Sequence, residues 1–210
     1  MNIDCFIIND FLDDPDAIRR WVIDNNKKGH LPFDQEGPYP GIRSDKVGNE
    51  DYHYMIEEKL KKILPFKFKM DMKTSDSYAY QLCLKGSHSS IHVDKTKWGG
   101  VLYLTPNAPL QSGTFLFKDN CLEKLKELNS IVWNTKISDE EKFKFKDEFQ
   151  ISMSDTEGSK DISAVVRNVY NRMLIMRGGE VPHSSLNSGF GDCLENGRLT
   201  QVFFFDEVIE

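Results

Sequence analysis

The chain has 210 residues, a formal net charge of −6 and a sequence pI near 5.4, with 39% hydrophobic, 11% aromatic and 29% charged residues. That balance suits one globular domain and excludes a disordered or fibrous chain. The acidic total argues against general nucleic-acid binding, which needs clustered positive charge, and no apolar run reaches the length of a membrane span.

The start MNIDCFIIND carries acidic residues and only a short apolar run, so it is not read as a secretory leader. Cys5, Cys83, Cys121 and Cys193 are scattered without C-x-x-C spacing, and a reducing, cytoplasmic setting with free thiols is expected. CFII at residues 5–8 reads as a short strand. DDPDAIRRWVIDNN then signals a helix, with Asp13 or Asp14 as cap, Pro15 in the first turn and Ile18, Trp21 and Val22 on one face. GHLPFDQEGPYPGIRSDKVG is rich in glycine and proline and is expected to be a long surface segment without regular structure, of the kind that tends to be functional. DYHYMIEEKLKKIL gives a second helix that ends at Pro65, with Met55, Ile56, Leu60, Ile63 and Leu64 as its apolar stripe.

From Phe66 the period changes. FKFKMDMK alternates as a half-buried strand does, and YAYQLCL, GVLYLT, GTFLF, RMLIM and RLTQVFFF follow as further strands. Strands after two helices predict a mostly β, α+β fold, an antiparallel sandwich or barrel with a helical layer on one side. Residues 118–163 interrupt the pattern with charged sequence and are expected to be an insertion, part helix and part loop, whose KFKFKDEF suggests an extra edge strand. The whole of 1–210 is read as a single domain.

Three short stretches carry candidate chemistry. In SSIHVDKTKWGG, His92 and Asp94 are two apart, so in a strand they would aim an imidazole and a carboxylate at one point. In MLIMRGGEVPHSSLN, an apolar strand and a Gly-Gly turn lead to His183. In GRLTQVFFF, Arg198 and Thr200 share one face of a strand built for burial, and a buried guanidinium needs an anionic partner. Each has a plainer reading alone: a polar turn, a structural histidine, a structural salt bridge.

Taken in order, H-x-D, the GGVLYL strand, Ser112-Gly113-Thr114 with Phe115 and Phe117, G-G-x-x-x-H and R-x-T resemble the iron(II)- and 2-oxoglutarate-dependent dioxygenases, in particular the prolyl-4-hydroxylase-like branch. The resemblance covers residues 78–117 and 170–206, and FIINDFLDDPDAIRRWV is similar to the opening of that branch. It implies a double-stranded β-helix (jelly-roll, cupin-like) core. It also implies that His92, Asp94 and His183 ligate Fe(II), leaving positions for 2-oxoglutarate and O2. Arg198 would grip the distal carboxylate of 2-oxoglutarate, helped by the hydroxyls of Tyr103 and Thr200. Succinate and CO2 would be coproducts and ascorbate a reductant, and an aspartate at position 94 favours hydroxylation over halogenation.

Two departures stand out. The stretch between His183 and Arg198 is longer than usual in the family, and Leu84 stands where some relatives carry a cosubstrate-binding tyrosine, a loss that Tyr78 or Tyr80 would compensate. Arg43, Trp98 and Tyr80 are candidates to meet the substrate, a small molecule or a peptide or protein side chain. The oligomeric state is left open. Two rival readings remain: a catalytically silent jelly-roll binding module, and a cupin-like metal-dependent hydrolase or isomerase, which has no need of a buried arginine at the far end of its barrel.

Overall fold

The computed structural model of the chain describes residues 5–37, 39–46, 49–72, 76–87, 89–132, 138, 140–141 and 161–208. Helix α1 (Pro15–Lys27) is capped by Asp14, whose carboxylate accepts the Ala17 N–H at 2.8 Å. Helix α2 (Glu50–Ile63) is capped by Asn49 and stops short of Pro65. The buried stripes are narrower than the sequence suggests. Val22, Ile56 and Leu60 are fully covered, whereas Trp21 and Ile63 keep 42% and 37% exposure at the margins.

The large sheet contains β1 (Cys5–Ile8), β2 (Phe33–Gln35), β3 (Ile42–Lys46), β4 (Phe68–Met70), β5 (Ala79–Cys83), β6 (Trp98–Tyr103), β9 (Met173–Met176) and β11 (Arg198–Glu207), in the order β1-β9-β6-β11-β5-β3-β2 with β4 also paired to β11. The small sheet runs β10 (His183–Leu186), β7 (Gly113–Phe117), β8 (Ile162–Arg167), and His92 extends it through an isolated antiparallel bridge to His183. Every pairing is antiparallel. Along the chain, β5 lies in the large sheet, His92 in the small, β6 in the large, β7 and β8 in the small, β9 in the large, β10 in the small and β11 in the large. That alternation is the winding of a double-stranded β-helix, as the sequence resemblance implies.

Alternation along β11 sets the two sides of its sheet. Leu199, Gln201, Phe203 and Phe205 point to the core shared with α1 and α2, while Arg198, Thr200, Val202 and Phe204 point between the sheets. Gln201 is tolerated in that core because its amide is satisfied: the Tyr52 hydroxyl donates to its Oε1, and its Nε2 donates to the Tyr78 carbonyl at 3.1 Å.

Several expectations need correction. The glycine- and proline-rich 29–48 segment contains β2 and β3, and β3 pairs with β5 through Ile42↔Leu82. Gly41, at φ 71°, makes the turn into β3, where a Cβ would meet the Leu82 carbonyl at 2.1 Å. Of the described part of FKFKMDMK only Phe68–Met70 forms a strand, and it pairs with the last residues of β11. Strand β8 arises at the end of the presumed insertion, where ISAVVR lacks a clean alternation. Helix α3 (Asp119–Val132) supplies the helical part of that insertion and packs Cys121 and Leu125 against Phe115 and Phe117, while KFKFKDEF lies outside the described residues. None of the four cysteines forms a disulfide.

One buried hydroxyl fixes the entry to β11. Thr105 donates to the Gly197 carbonyl and accepts the Leu199 N–H, each at 2.8 Å, bracketing Arg198. Thr105→Val strands both backbone groups, with an expected loss of about 1–3 kcal/mol measured by denaturant unfolding.

Candidate metal centre and its cavity

Between the sheets lies an open-mouthed cavity. His92, Asp94 and His183 meet on its wall, each offering one ligand atom, with all these atoms within 4.8 Å of one another. Asp94 Oδ1 is 3.9 Å from His92 Nε2 and 3.7 Å from His183 Nε2, and the imidazole centroids are 4.4 Å apart. His92 and Asp94 are not held by a regular strand. Position 92 is fixed by the bridge to His183, and Asp94 by its N–H to the Gly178 carbonyl at 2.7 Å. The Gly-Gly turn therefore aligns the carboxylate as well as leading to His183.

Backbone carbonyls fix the presentation of both rings. Nδ1 of His92 lies 2.9 Å from the Ser90 carbonyl, and Nδ1 of His183 lies 2.9 Å from the Val181 carbonyl. A carbonyl only accepts, so Nδ1 carries the proton and Nε2 turns its lone pair toward Asp94. Loss of hydration, then the facing His183, pushes the His92 pKa down to about 4. Although 42% of the His92 side chain stays accessible, the direction keeps this ring neutral and able to ligate at pH 7.

Space for the carboxylate comes from two glycines. A Cβ at Gly99 would stand 2.3 Å from Asp94 Oδ2, and one at Gly178 would stand 2.1 Å from the same atom. Gly99→Ala and Gly178→Ala are each expected to push Asp94 aside and weaken metal affinity by roughly 10–100-fold, read by ferrous-iron titration, with the circular dichroism of the folded chain retained.

Arg198, 3% exposed, lines the same cavity. Its nearest acceptors are weak, the Gly113 carbonyl at 3.5 Å and Cys83 Sγ at 3.8 Å, and its Nε has no partner. No carboxylate pairs with it among the described residues. This is a buried cation with room in front of it for an anion. Thr200 and Thr114 line the wall beside it.

The other sequence candidates divide. Arg43 is on the cavity wall. Tyr103 is fully buried on the face of β6 that it shares with Gly99 and Val101, its hydroxyl 2.7 Å from Thr114 Oγ1, its ring 5.9 Å from the Arg198 guanidinium carbon and packed among Leu116, Leu174 and Met176. Burial, opposed by nearby Arg198, raises its pKa. Tyr80 and Trp98 sit one position before Gln81 and Gly99, which line the cavity, so they point the opposite way. Tyr80 packs against Trp21, while Trp98 stacks on Phe66 and donates to Glu207. Tyr78 and Leu84 do not line the cavity either. Tyr39, Gln81, Val202 and Phe204 also line the cavity without a signal of their own in the motifs, and Thr114 enters there only as part of the Ser112-Gly113-Thr114 turn. Counting every second residue from Arg198 finds Val202 and Phe204, and a lone amide in the apolar YAYQLCL marks Gln81.

The donor set fits ferrous iron: two imidazole nitrogens and one carboxylate oxygen can occupy one face of the ion and leave the rest toward the cavity, without the fourth protein ligand of a closed structural zinc site. Among solved structures, the chain is similar in fold to a Pseudomonas putida prolyl-4-hydroxylase (15% identity, 98% of this chain and 94% of that one, TM-score 0.51). It is also similar to a Trichoplax adhaerens prolyl hydroxylase in complex with a hypoxia-inducible-factor peptide fragment (11%, 97% and 84%, 0.57). A third is HygX from Streptomyces hygroscopicus with nickel and 2-oxoglutarate bound (10%, 98% and 83%, 0.57), which is also known with hygromycin B. No family model and no curated protein matches the sequence.

Proposed function

We propose that this protein is an Fe(II)- and 2-oxoglutarate-dependent oxygenase that hydroxylates an unactivated C–H bond of a small molecule or of a peptide or protein side chain. The observation that carries the reading is Arg198, a buried guanidinium without a carboxylate partner among the described residues, in one cavity with His92, Asp94 and His183. Burial of an uncompensated cation costs free energy in the free protein, and a dicarboxylate cosubstrate offsets that cost when it binds.

In this reading His92, Asp94 and His183 hold the metal through Nε2, a carboxylate oxygen and Nε2. Arg198 fixes the distal carboxylate of 2-oxoglutarate, with the Thr200 and Thr114 hydroxyls beside it. Tyr103, whose hydroxyl bonds Thr114 and whose ring stands 5.9 Å from the Arg198 guanidinium carbon, contributes its hydroxyl at the same end. Ferrous iron would supply the O2-dependent redox chemistry that couples decarboxylation of 2-oxoglutarate to succinate and CO2 with oxidation of substrate, and ascorbate would keep the metal ferrous. Val101, Met176, Val202 and Phe204 give the reacting end of the cavity apolar walls that exclude water. We read residues 1–210 as one oxygenase domain with an insertion at 118–163. Structures similar in fold are seen with a peptide fragment and with hygromycin B, so both substrate classes stand. No helix among the described residues is long and apolar enough to cross a membrane.

Anaerobic addition of Fe(II) and 2-oxoglutarate should produce a visible metal-to-ligand charge-transfer band, and admission of O2 should release succinate. Iron binding without succinate under O2 would favour the silent binding module. Metal-dependent turnover indifferent to 2-oxoglutarate and to Arg198→Ala would favour the hydrolase or isomerase.

A further inference from the structure

The cavity holds a second arginine besides Arg198. Arg43 enters from β3 and is 9% exposed. Its Nε donates to Gln81 Oε1 at 2.9 Å and its Nη1 to Asp76 Oδ2 at 2.8 Å. The Tyr39 ring covers the guanidinium at 3.7 Å and the Phe204 ring stands 5.8 Å from it. Those contacts fix both the position and the plane of the group, so little rotamer entropy is left to lose on binding. Nη2 has no acceptor among the described residues.

The charge on Arg43 is only partly answered by the protein. The Asp76 side chain is 44% exposed, and a carboxylate that stays in water screens its partner weakly. With ferrous iron and dianionic 2-oxoglutarate bound, the charges of iron, Asp94, Arg198 and 2-oxoglutarate would cancel, leaving Arg43 answered only by the half-exposed Asp76.

We propose that Arg43, held by Gln81 and Asp76 and flanked by Tyr39 and Phe204, is the substrate-specificity residue and recognises a carboxylate on the molecule to be oxidised. This rests on the oxygenase reading for the site beside it, and it narrows the substrate to a carboxylic acid whose apolar part lies along Val202 and Phe204 toward the metal. The carboxylate takes the open guanidinium edge, a charge-assisted contact that a neutral amide of the same shape cannot replace. Asp76 is a positioning residue: it stays paired with Nη1 and sets the angle of the fork.

The test uses the full chain loaded with Ni(II), a redox-silent stand-in, and saturating 2-oxoglutarate. The probes are hexanoate, phenylacetate and indole-3-acetate with their primary amides, observed by ligand line broadening from the paramagnetic ion. At least one acid should bind about tenfold or more tightly than its amide, as loss of a charged hydrogen bond predicts. Arg43→Gln should bring that ratio near one, and Arg43→Lys, which keeps the charge but loses the fork, should give an intermediate ratio. Circular dichroism checks that each variant folds, and Tyr39→Ala, which leaves the arginine in place but unstacked, supplies a second variant that should lower the ratio. Amides that match the acids, no broadening by any acid, or a ratio unchanged in Arg43→Gln would each overturn the proposal. 2-Oxoglutarate is titrated into the same samples. A wild type that fails to take it up sinks the oxygenase reading, whereas the dependence of the ratio on Arg43 reads this proposal separately.

Discussion

His183→Ala is expected to lower ferrous-iron affinity by more than the roughly 10–100-fold typical of losing a mere supporting contact, and to stop succinate formation. His183 is 5% exposed, its Nδ1 is committed to the Val181 carbonyl, and only Nε2 faces Asp94. No other histidine or cysteine among the described residues joins the cluster to replace it. The same experiment has a readout that needs no turnover. Metal that binds only the folded state stabilises it, by about 2.7 kcal/mol at a hundred times the dissociation constant. Wild type should therefore melt several degrees lower after chelation and recover with Fe(II) or Ni(II), while His183→Ala should melt at one temperature in all three conditions. A structural histidine would behave otherwise, since its loss would lower the melting temperature and leave the metal-induced shift intact.

The site was more legible in the sequence than the elements that carry it, for a physical reason. A cluster that can hold a metal needs particular atoms, so H-x-D, the distal histidine and the buried arginine can be read as residue types whatever the backbone does between them. The strand geometry first invoked for His92 and Asp94 is not what aligns them. A single bridge, a glycine carbonyl and two missing Cβ atoms do so, and none of these can be seen until Gly99 and Gly178 are brought beside Asp94. Strand β3 was hidden because glycine and proline normally end regular structure, yet Gly41 here starts it. Trp98 follows H-x-D closely in sequence and Tyr80 lies near Leu84, yet the alternation of β5 and β6 turns both away from the cavity. The long gap before Arg198 is absorbed in a turn tied down by Lys27–Glu195 at 2.8 Å and by Asn196, which accepts the Asp192 and Cys193 N–H groups, so the arginine keeps its place on β11.

Arg198→Met should move stability and cosubstrate binding in opposite directions. In the protein without 2-oxoglutarate the guanidinium is buried, its Nε is unsatisfied and no carboxylate answers its charge, so exchange for an apolar side chain of similar length is expected to leave the melting temperature unchanged or raise it. In the loaded protein the same exchange removes one partner of a buried charged pair, a loss of about 2–5 kcal/mol, or roughly 30-fold to several thousand-fold in the apparent affinity for 2-oxoglutarate. Arg198→Lys keeps the charge without the planar fork and should fall between. The thermal shift that 2-oxoglutarate gives wild type should vanish in Arg198→Met while the shift from metal alone persists, since the three ligand side chains are untouched. A structural salt bridge predicts the reverse: a destabilised free protein with normal 2-oxoglutarate binding. Thermal melts with and without 2-oxoglutarate therefore separate the two readings in one set of samples, before any substrate is known.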